Sequence, residues 1–167
     1  PLVHVGARAG AGPGGGSLNR GSMCRRAADE GLVDPAHSVQ IGMRTPNETY
    51  GFNVIHADEL FRLGIDTVVE RTREIVGDRV VYLSVDIDFL DPAFAPGTGT
   101  PVVGGPTTWD ARRLLLGLAG LDIVAADLVE VAPPYDHSGI TALAGATLAI
   151  DELQLLGAAR TARAARA

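Results

Sequence analysis

The stretch at 84–105 reads SVDIDFLDPAFAPGTGTPVVGG, and the apolar run VVYL comes directly before it. A short run of β-branched and aromatic residues predicts a buried strand. Asp86 and Asp88 come at its end, and side chains two residues apart on a strand lie on one face, so we expect both carboxylates to point into the same space. Pro92 then stops the strand, and a Gly- and Pro-rich loop follows that can fold over the strand end.

Two carboxylates on one face repel each other unless a cation or a proton lies between them. A hard divalent ion that prefers oxygen ligands is the natural cation for such a pair. Taken alone, the Asp-x-Asp pattern is weak evidence, because short acidic pairs are also common in turns and helix caps. Metal binding by Asp86 and Asp88 is therefore one interpretation, and a local structural role is the other.

Composition limits the classes of protein that this chain can belong to. With 167 residues, 46% hydrophobic and 20% charged, it has the profile of one folded domain with a real core. A net charge of -6 argues against nucleic acid as a partner. A single cysteine, Cys24, allows no internal disulfide and favours a reducing compartment, so we expect a cytoplasmic protein. We also expect no membrane span, because no apolar run reaches about 18 residues.

Strands and helices alternate along the chain. Strands are predicted to start near Leu2, Ser38, Asn53, Val80 and Ile123, which indicates a three-layer α/β/α domain with a mostly parallel sheet. Helices are predicted at 23–31, in two pieces within 57–77, at 109–120 after a cap at Thr108, and at 141–159. We expect the basic tail after 159 to fray.

Glu130 lies near the end of the second long apolar strand, at 123–131. In open α/β sheets the carboxyl ends of the strands are where ligands bind, so its carboxylate is well placed to meet one. A guanidinium would suit it, because the planar fork of donors pairs with a carboxylate through two hydrogen bonds. The alternative is a salt bridge to one of the chain's own arginines. Asp127, in the same strand, is assigned no role.

Several segments together resemble the ureohydrolase family, which includes the arginases and agmatinases. The stretch at 84–105 resembles the third signature of that family, and its wording DPAFAPGTGTP is similar to the agmatinase branch. The segments SVQIGMRT at 38–45 and LVEVAPPYDHSGITAL at 128–143 resemble agmatinases as well. The resemblance implies an arginase-like fold and a homo-oligomer.

The same resemblance implies a chemistry. Asp86 and Asp88 would be ligands of a pair of Mn2+ ions, whose bridging hydroxide attacks a guanidinium carbon and releases urea. Glu130 would bind the guanidinium of a small substrate, agmatine or a similar compound. The expected reaction is hydrolysis of a linear amidine C–N bond.

The N-terminal segment departs from the family. Residues 2–10 read LVHVGARAG, where ureohydrolases carry apolar residues followed by the metal ligands of Asp-Ala-His-x-Asp. Gly6 and Gly10 stand where carboxylates belong, and Arg8 stands where an imidazole belongs. Arg20 replaces a histidine that agmatinases usually have. None of these residues can bind Mn2+, and an arginine adds a permanent positive charge.

We therefore expect residues 1–167 to be a single, partial ureohydrolase domain that lacks the family's N-terminal strands. Its expected function is that of an agmatinase-like amidinohydrolase that is impaired or inactive, with no catalytic residue intact and doubtful Mn2+ occupancy. One alternative is a non-catalytic homologue that binds guanidino ligands or assembles with an active subunit. Another is a fragment without a function.

Overall fold

In the computed structural model, which describes residues 1–8, 23–46 and 48–166, one parallel sheet organises the chain. Within the described residues it has five strands in the order β3-β2-β1-β4-β5, and every neighbouring pair is parallel. The strands are β1 (Leu2–Val5), β2 (Val39–Met43), β3 (Asn53–His56), β4 (Val80–Asp86) and β5 (Asp122–Val129). The predicted strands and the parallel sheet are thereby confirmed.

Helices cover the two faces of the sheet unequally. The described helices are α1 (Met23–Asp29), α2 (Ala57–Leu63), α3 (Ile65–Val76), α4 (Thr108–Gly117) and α5 (Ile140–Ala164). Helices α2 to α5 share one buried core with Val3, Val5 and the inward residues of β4. On the opposite face, Cys24 of α1 packs against Leu2 and Phe52. The domain is thus a three-layer α/β/α structure, as predicted.

Among the helix boundaries that differ from the prediction, two have a clear physical cause. The cap of α4 is Thr107, not Thr108, because the Thr107 hydroxyl accepts from Asp110 N at 3.1 Å while the Asp110 carboxylate accepts from Thr107 N at 3.1 Å. This reciprocal pair satisfies two donors of the first turn. Helix α5 continues to Ala164, so the predicted frayed tail is wrong up to that residue. Arg163 holds the last turn by ion pairing with Asp122 at the start of β5.

Helix α5 is also apolar enough, by length and composition alone, to cross a membrane. The expectation that no segment reaches this length was therefore wrong on those two criteria. A helix packed on a sheet meets the same criteria, and α5 does pack on one, since Ala144, Leu148 and Leu155 belong to the main core. The same helix buries Asp151 and Glu152 against the protein. The feature is weak evidence for a membrane span.

Candidate functional site

A row of polar side chains crosses four adjacent strands. The register pairs His4 with Gln40 of β2 and with Ser84 of β4, and Ser84 with Asp127 of β5. Residues paired in this way lie side by side on one face of a sheet. The Ser84 hydroxyl donates to the Asp127 carboxylate at 2.8 Å. Sequence reasoning missed this row, because the register between distant strands cannot be read from any one of them.

A cavity of about 430 Å³ opens beside this row. Among the side chains that line it are all three residues singled out from the sequence, Asp86, Asp88 and Glu130. The loops after β1, β4 and β5 contribute to the lining, which places the cavity at the carboxyl ends of parallel strands, where ligands bind in such sheets. The polar part of the lining is His4, Arg8, Ser84, Asp86, Asp88, Thr100, Asp127 and Glu130.

The two neighbouring carboxylates are not both on the strand, as the spacing had suggested. Asp86 is the last residue of β4, whereas Asp88 lies in a single 3₁₀ turn, Ile87–Phe89. The turn forms because the Asp86 carboxylate accepts a hydrogen bond from Asp88 N at 2.9 Å. Both side chains still reach one cavity, because the turn directs the second carboxylate back toward the strand end.

Asp88 is almost completely buried, at 1% exposure. Its Oδ1 accepts a hydrogen bond from Ala7 N at 2.8 Å. Its Oδ2 is buried and has no hydrogen-bond partner among the described residues. A buried carboxylate oxygen normally has a partner, so this atom indicates a place for a donor or a cation.

The residues after β1, Gly6 and Arg8, do not complete a metal site with Asp86 and Asp88. Gly6 offers no side chain at a position whose Cβ would lie 3.3 Å from the Asp86 Cβ. Arg8 lines the same cavity with a permanent positive charge. Within the described part of the chain, no group of three or more His, Cys, Asp or Glu residues is arranged to hold a metal ion. These residues do not fit a pair of Mn2+ ions, and Gly10 and Arg20 lie outside the described residues.

The His4 side chain takes up the space beside Gly6. A Cβ at position 6 would lie only 2.9 Å from the His4 Nε2. That nitrogen hydrogen-bonds to the Arg8 carbonyl at 3.0 Å, while Nδ1 is buried without a hydrogen-bond partner among the described residues. Burial lowers the pKa of His4 below its ordinary value. A neutral imidazole therefore covers the end of β1.

Glu130 follows the last residue of β5 and has a left-handed backbone, with φ of 70°. Outside glycine this conformation is uncommon, and functional sites are where it concentrates. The next residues hold it there, since Val131 forms an antiparallel bridge with Thr98 and Ala132 N donates to the Gly97 carbonyl at 2.8 Å. From this turn Glu130 lines the cavity. Its pairing with an internal arginine stays a prediction.

The Gly-rich loop after β4 is held in place by one half-buried arginine. The Arg44 guanidinium donates to the carbonyls of Asp88 at 2.6 Å, Phe89 at 2.9 Å and Val102 at 2.9 Å. These bonds fix the 3₁₀ turn and the loop to each other. Arg44 received no role from the sequence, because backbone carbonyl acceptors leave no signal in side-chain patterns.

Asp91 holds the same loop from the other side. Its carboxylate accepts hydrogen bonds from the backbone N–H groups of Ala93, Gly104 and Gly105, and these bonds lower its pKa. A Cβ on Gly105 would lie 2.6 Å from Asp91 N, so only glycine allows this approach. The loop is therefore a fixed wall of the cavity.

Asp127 lines both the cavity described above and a second cavity. Its carboxylate accepts hydrogen bonds from both Ser84 and the Tyr82 hydroxyl. The second bond raises the pKa of Tyr82 to about 12. A second cavity, of about 490 Å³, begins beyond Asp127, between β5 and α5, and Glu152 contributes to its wall. No sequence pattern linked Glu152 to Asp127, because the packing of α5 alone brings the two residues to one cavity.

Glu152 is 5% exposed, and burial together with the nearby Asp127 charge raises its pKa from 4.5 to about 7. Because the unfolded chain gives up this proton near pH 4.5, the folded state holds more protons between the two values, and stability falls as pH rises through this window. Glutamine cannot ionise. We therefore expect Glu152→Gln to stabilise the chain at about pH 8 by about 1 to 3 kcal/mol, and to be near neutral at about pH 5.

Urea unfolding of both proteins at the two pH values measures this difference. Glu59→Gln is the control, since Glu59 pairs with Arg71 near the surface of α2, and we expect it to show little pH-dependent gain. An equal effect of Glu152→Gln at both pH values would contradict the raised pKa.

Comparison with known proteins identifies the same family that the sequence motifs resemble. The model of the arginase family matches residues 7–154. The agmatinase of Photorhabdus laumondii is 54% identical over 155 residues, which are 92% of this chain and 50% of that protein. The agmatinase of Proteus mirabilis is 54% identical over 158 residues, 94% of this chain and 52% of that protein. The chain spans about half the length of the curated relatives it matches.

Solved structures show the same fold. A hypothetical agmatinase from Burkholderia thailandensis aligns with a TM-score of 0.88 at 48% identity, over 92% of this chain and 50% of that one. Proclavaminate amidino hydrolase from Streptomyces clavuligerus aligns with a TM-score of 0.90 at 41% identity, over 95% of this chain and 55% of that one. The three-layer architecture is thus the arginase-like fold.

Proposed function

Because this chain belongs to the arginase family, we propose that it is a partial domain of an agmatinase-like amidinohydrolase. Its expected substrate class is a small guanidino compound, agmatine or one similar to it. Support comes from the 54% identity to two agmatinases and from the structural match to an amidino hydrolase. The match covers about half of the length of these relatives, so we propose their activity for this chain and do not assign it.

The observation that carries this proposal is the convergence of Asp86, Asp88 and Glu130 on one cavity at the carboxyl ends of the strands. Three acidic groups there favour a cationic ligand over an anionic one. Glu130 is assigned to the guanidinium of the ligand, which a carboxylate can bind through two hydrogen bonds. Asp86 and Asp88 are assigned as the part of the family's Mn2+ ligand set that this chain retains.

We also propose that hydrolysis is impaired. A guanidinium carbon is a poor electrophile, so its hydrolysis at neutral pH needs a nucleophile stronger than water. In metal-dependent hydrolases a bound metal supplies that nucleophile by lowering the pKa of water. Gly6 offers no ligand for a metal here, and the Arg8 cation repels one. We therefore expect the described residues of this chain not to provide a metal that makes the nucleophile.

Two measurements on the purified chain test this proposal. With Mn2+ and agmatine we expect no urea above background, while the Proteus mirabilis agmatinase under the same conditions serves as positive control. Titration calorimetry with Mn2+ should show binding no tighter than that of an Asp86→Ala/Asp88→Ala variant. Manganese-dependent urea release that disappears in this variant would overturn the proposed impairment.

A second candidate is binding of a guanidino ligand without hydrolysis, and the position of Glu130 on the cavity wall favours it. Calorimetry with agmatine in the presence of a chelator tests it, with Glu130→Gln as the matched variant because it keeps the shape and removes the charge. Saturable binding that the variant loses would support a binding subunit. Absence of binding would remove this candidate.

A further inference from the structure

Two buried hydrogen-bond acceptors belong to side chains that line one cavity, the cavity at the carboxyl ends of β1 and β4. One acceptor is the Asp88 Oδ2 and the other is the His4 Nδ1, and neither atom has a hydrogen-bond partner among the described residues. The two residues are 1% and 5% exposed. Buried polar atoms in folded proteins are almost always hydrogen-bonded, so two such atoms at one cavity indicate a ligand that donates to both.

The hydrogen bond of the other ring nitrogen makes the His4 Nδ1 an acceptor. Nε2 lies 3.0 Å from the Arg8 carbonyl oxygen, which can only accept, so Nε2 carries the ring proton. Burial lowers the pKa of His4 and keeps the ring neutral. In a neutral imidazole with its proton on Nε2, Nδ1 has a lone pair and no hydrogen. His4 therefore adds a second acceptor to the cavity, and not a donor.

A closed ring of hydrogen bonds fixes which Asp88 oxygen is left for a ligand. Ala7 N donates to Oδ1 at 2.8 Å, Arg44 N donates to the Ala7 carbonyl at 2.9 Å, and the Arg44 guanidinium donates to the Asp88 carbonyl at 2.6 Å. Each residue of the ring holds the next, so rotation of the carboxylate breaks one of these bonds. Oδ1 is therefore used inside the protein, and Oδ2 is held in place for the ligand.

We propose that this cavity binds a primary alkylammonium ion, whose N–H groups donate to the Asp88 Oδ2 and the His4 Nδ1. An ammonium group has three donors and no acceptor, which matches a carboxylate oxygen and an imidazole nitrogen that both accept. The bond to Asp88 joins two opposite charges and is of the stronger, charge-assisted kind. Such binding needs neither a metal nor the proposed hydrolysis.

Two other kinds of cation suit these acceptors less well. A guanidinium is a planar fork that pairs with both oxygens of one carboxylate, whereas Asp88 offers only Oδ2 because Oδ1 is bound by Ala7 N. A metal ion needs a set of several ligands, and the described part of the chain contains no group of three or more His, Cys, Asp or Glu arranged to hold one. The acceptors therefore favour an ammonium.

The rest of the cavity suits the carbon chain of such a ligand. Met23 and Val129 line the cavity with apolar surface and are 55% and 38% exposed, so they lie toward solvent from the buried acceptors. The volume of about 430 Å³ is far larger than a single ion and falls in the range of small-molecule sites. An ammonium group bound at the buried end leaves a short alkyl chain against this apolar surface.

The experiment titrates n-butylammonium into the purified chain by calorimetry, in the presence of a chelator. We expect saturable binding that is about tenfold or more weaker in Asp88→Asn, because this variant keeps an oxygen for Ala7 N and turns an amide donor toward the ligand. Asp66→Asn is the matched control, since the Asp66 side chain is 83% exposed on α3 and does not line the cavity. Equal effects of the two substitutions would overturn the proposal.

A comparison of two ligands on the natural chain needs no variant. Trimethylbutylammonium has the charge and the butyl chain of n-butylammonium but no N–H group, so we expect it to bind about tenfold or more weakly. Equal affinities of the two ions would mean that the buried acceptors do not bind the ligand, and absence of saturable n-butylammonium binding would equally overturn the proposal. Neither urea release nor a guanidino ligand is measured, so failure here leaves the proposed function to its own assays.

Discussion

A Gly6→Asp/Arg8→His variant is expected to bind Mn2+ about a hundredfold more tightly than the natural chain, since ligand charge and number set metal affinity. The carboxylate would start from a Cβ 3.3 Å from that of Asp86, beside the carboxylates already in the cavity. The second change removes a permanent cation and adds a nitrogen that can bind a metal. Together they change both the charge and the donor set of the site.

The variant also has a predictable structural consequence. A Cβ at position 6 would lie 2.9 Å from the His4 Nε2, so the imidazole must turn away. It then gives up its 3.0 Å hydrogen bond to the carbonyl of residue 8. NMR of the His4 ring should therefore show a changed environment even before Mn2+ is added.

Gly6→Asn/Arg8→Gln is the matched control, because it fills the same space without a negative charge or an imidazole. Titration calorimetry of both variants with Mn2+ should show tight binding for the first alone. If the control bound Mn2+ as tightly, the gain would come from filling the cavity. In that case the carboxylate and imidazole introduced at positions 6 and 8 would not be metal ligands, and the prediction would be wrong.

The sequence predicted much of this architecture for a physical reason. Apolar runs such as VVYL are long enough to be recognised as buried strands, and alternation with helices indicates a parallel sheet. Asp86, Asp88 and Glu130 lie at or just after the ends of the two longest strands. Since parallel strands end at one edge, the convergence of these side chains on one cavity was predictable without knowledge of the strand order.

Features that depend on contacts between distant segments could not be predicted. The 3₁₀ turn around Asp88 forms through a hydrogen bond to the side chain of Asp86, so the strand ends earlier than its apolar pattern suggests. The role of Asp127 depends on the register that places it beside Ser84. Helix α5 extends past its predicted end because Arg163 finds a partner at the start of β5. Propensity alone carries no information about such partners.

Arg112→Met is expected to destabilise the chain clearly more than Arg113→Met does, since it leaves the buried Asp151 carboxylate without its counter-charge. Arg112 of α4 makes two hydrogen bonds, of 2.7 and 3.0 Å, to the Asp151 carboxylate of α5. The Asp151 side chain is only 1% exposed. These bonds raise the pKa of Arg112 and hold α4 against α5.

The neighbouring arginine provides the control for this prediction. Arg113→Met removes a pair with Asp66 whose carboxylate is 83% exposed, and should cost less than about 1 kcal/mol. An Arg112→Met/Asp151→Leu double variant should recover most of the lost stability, because it removes the unpaired charge along with its partner. Urea unfolding of the variants gives the coupling energy between the two side chains. Equal losses for Arg112→Met and Arg113→Met would mean that burial of Asp151 does not set the strength of the pair.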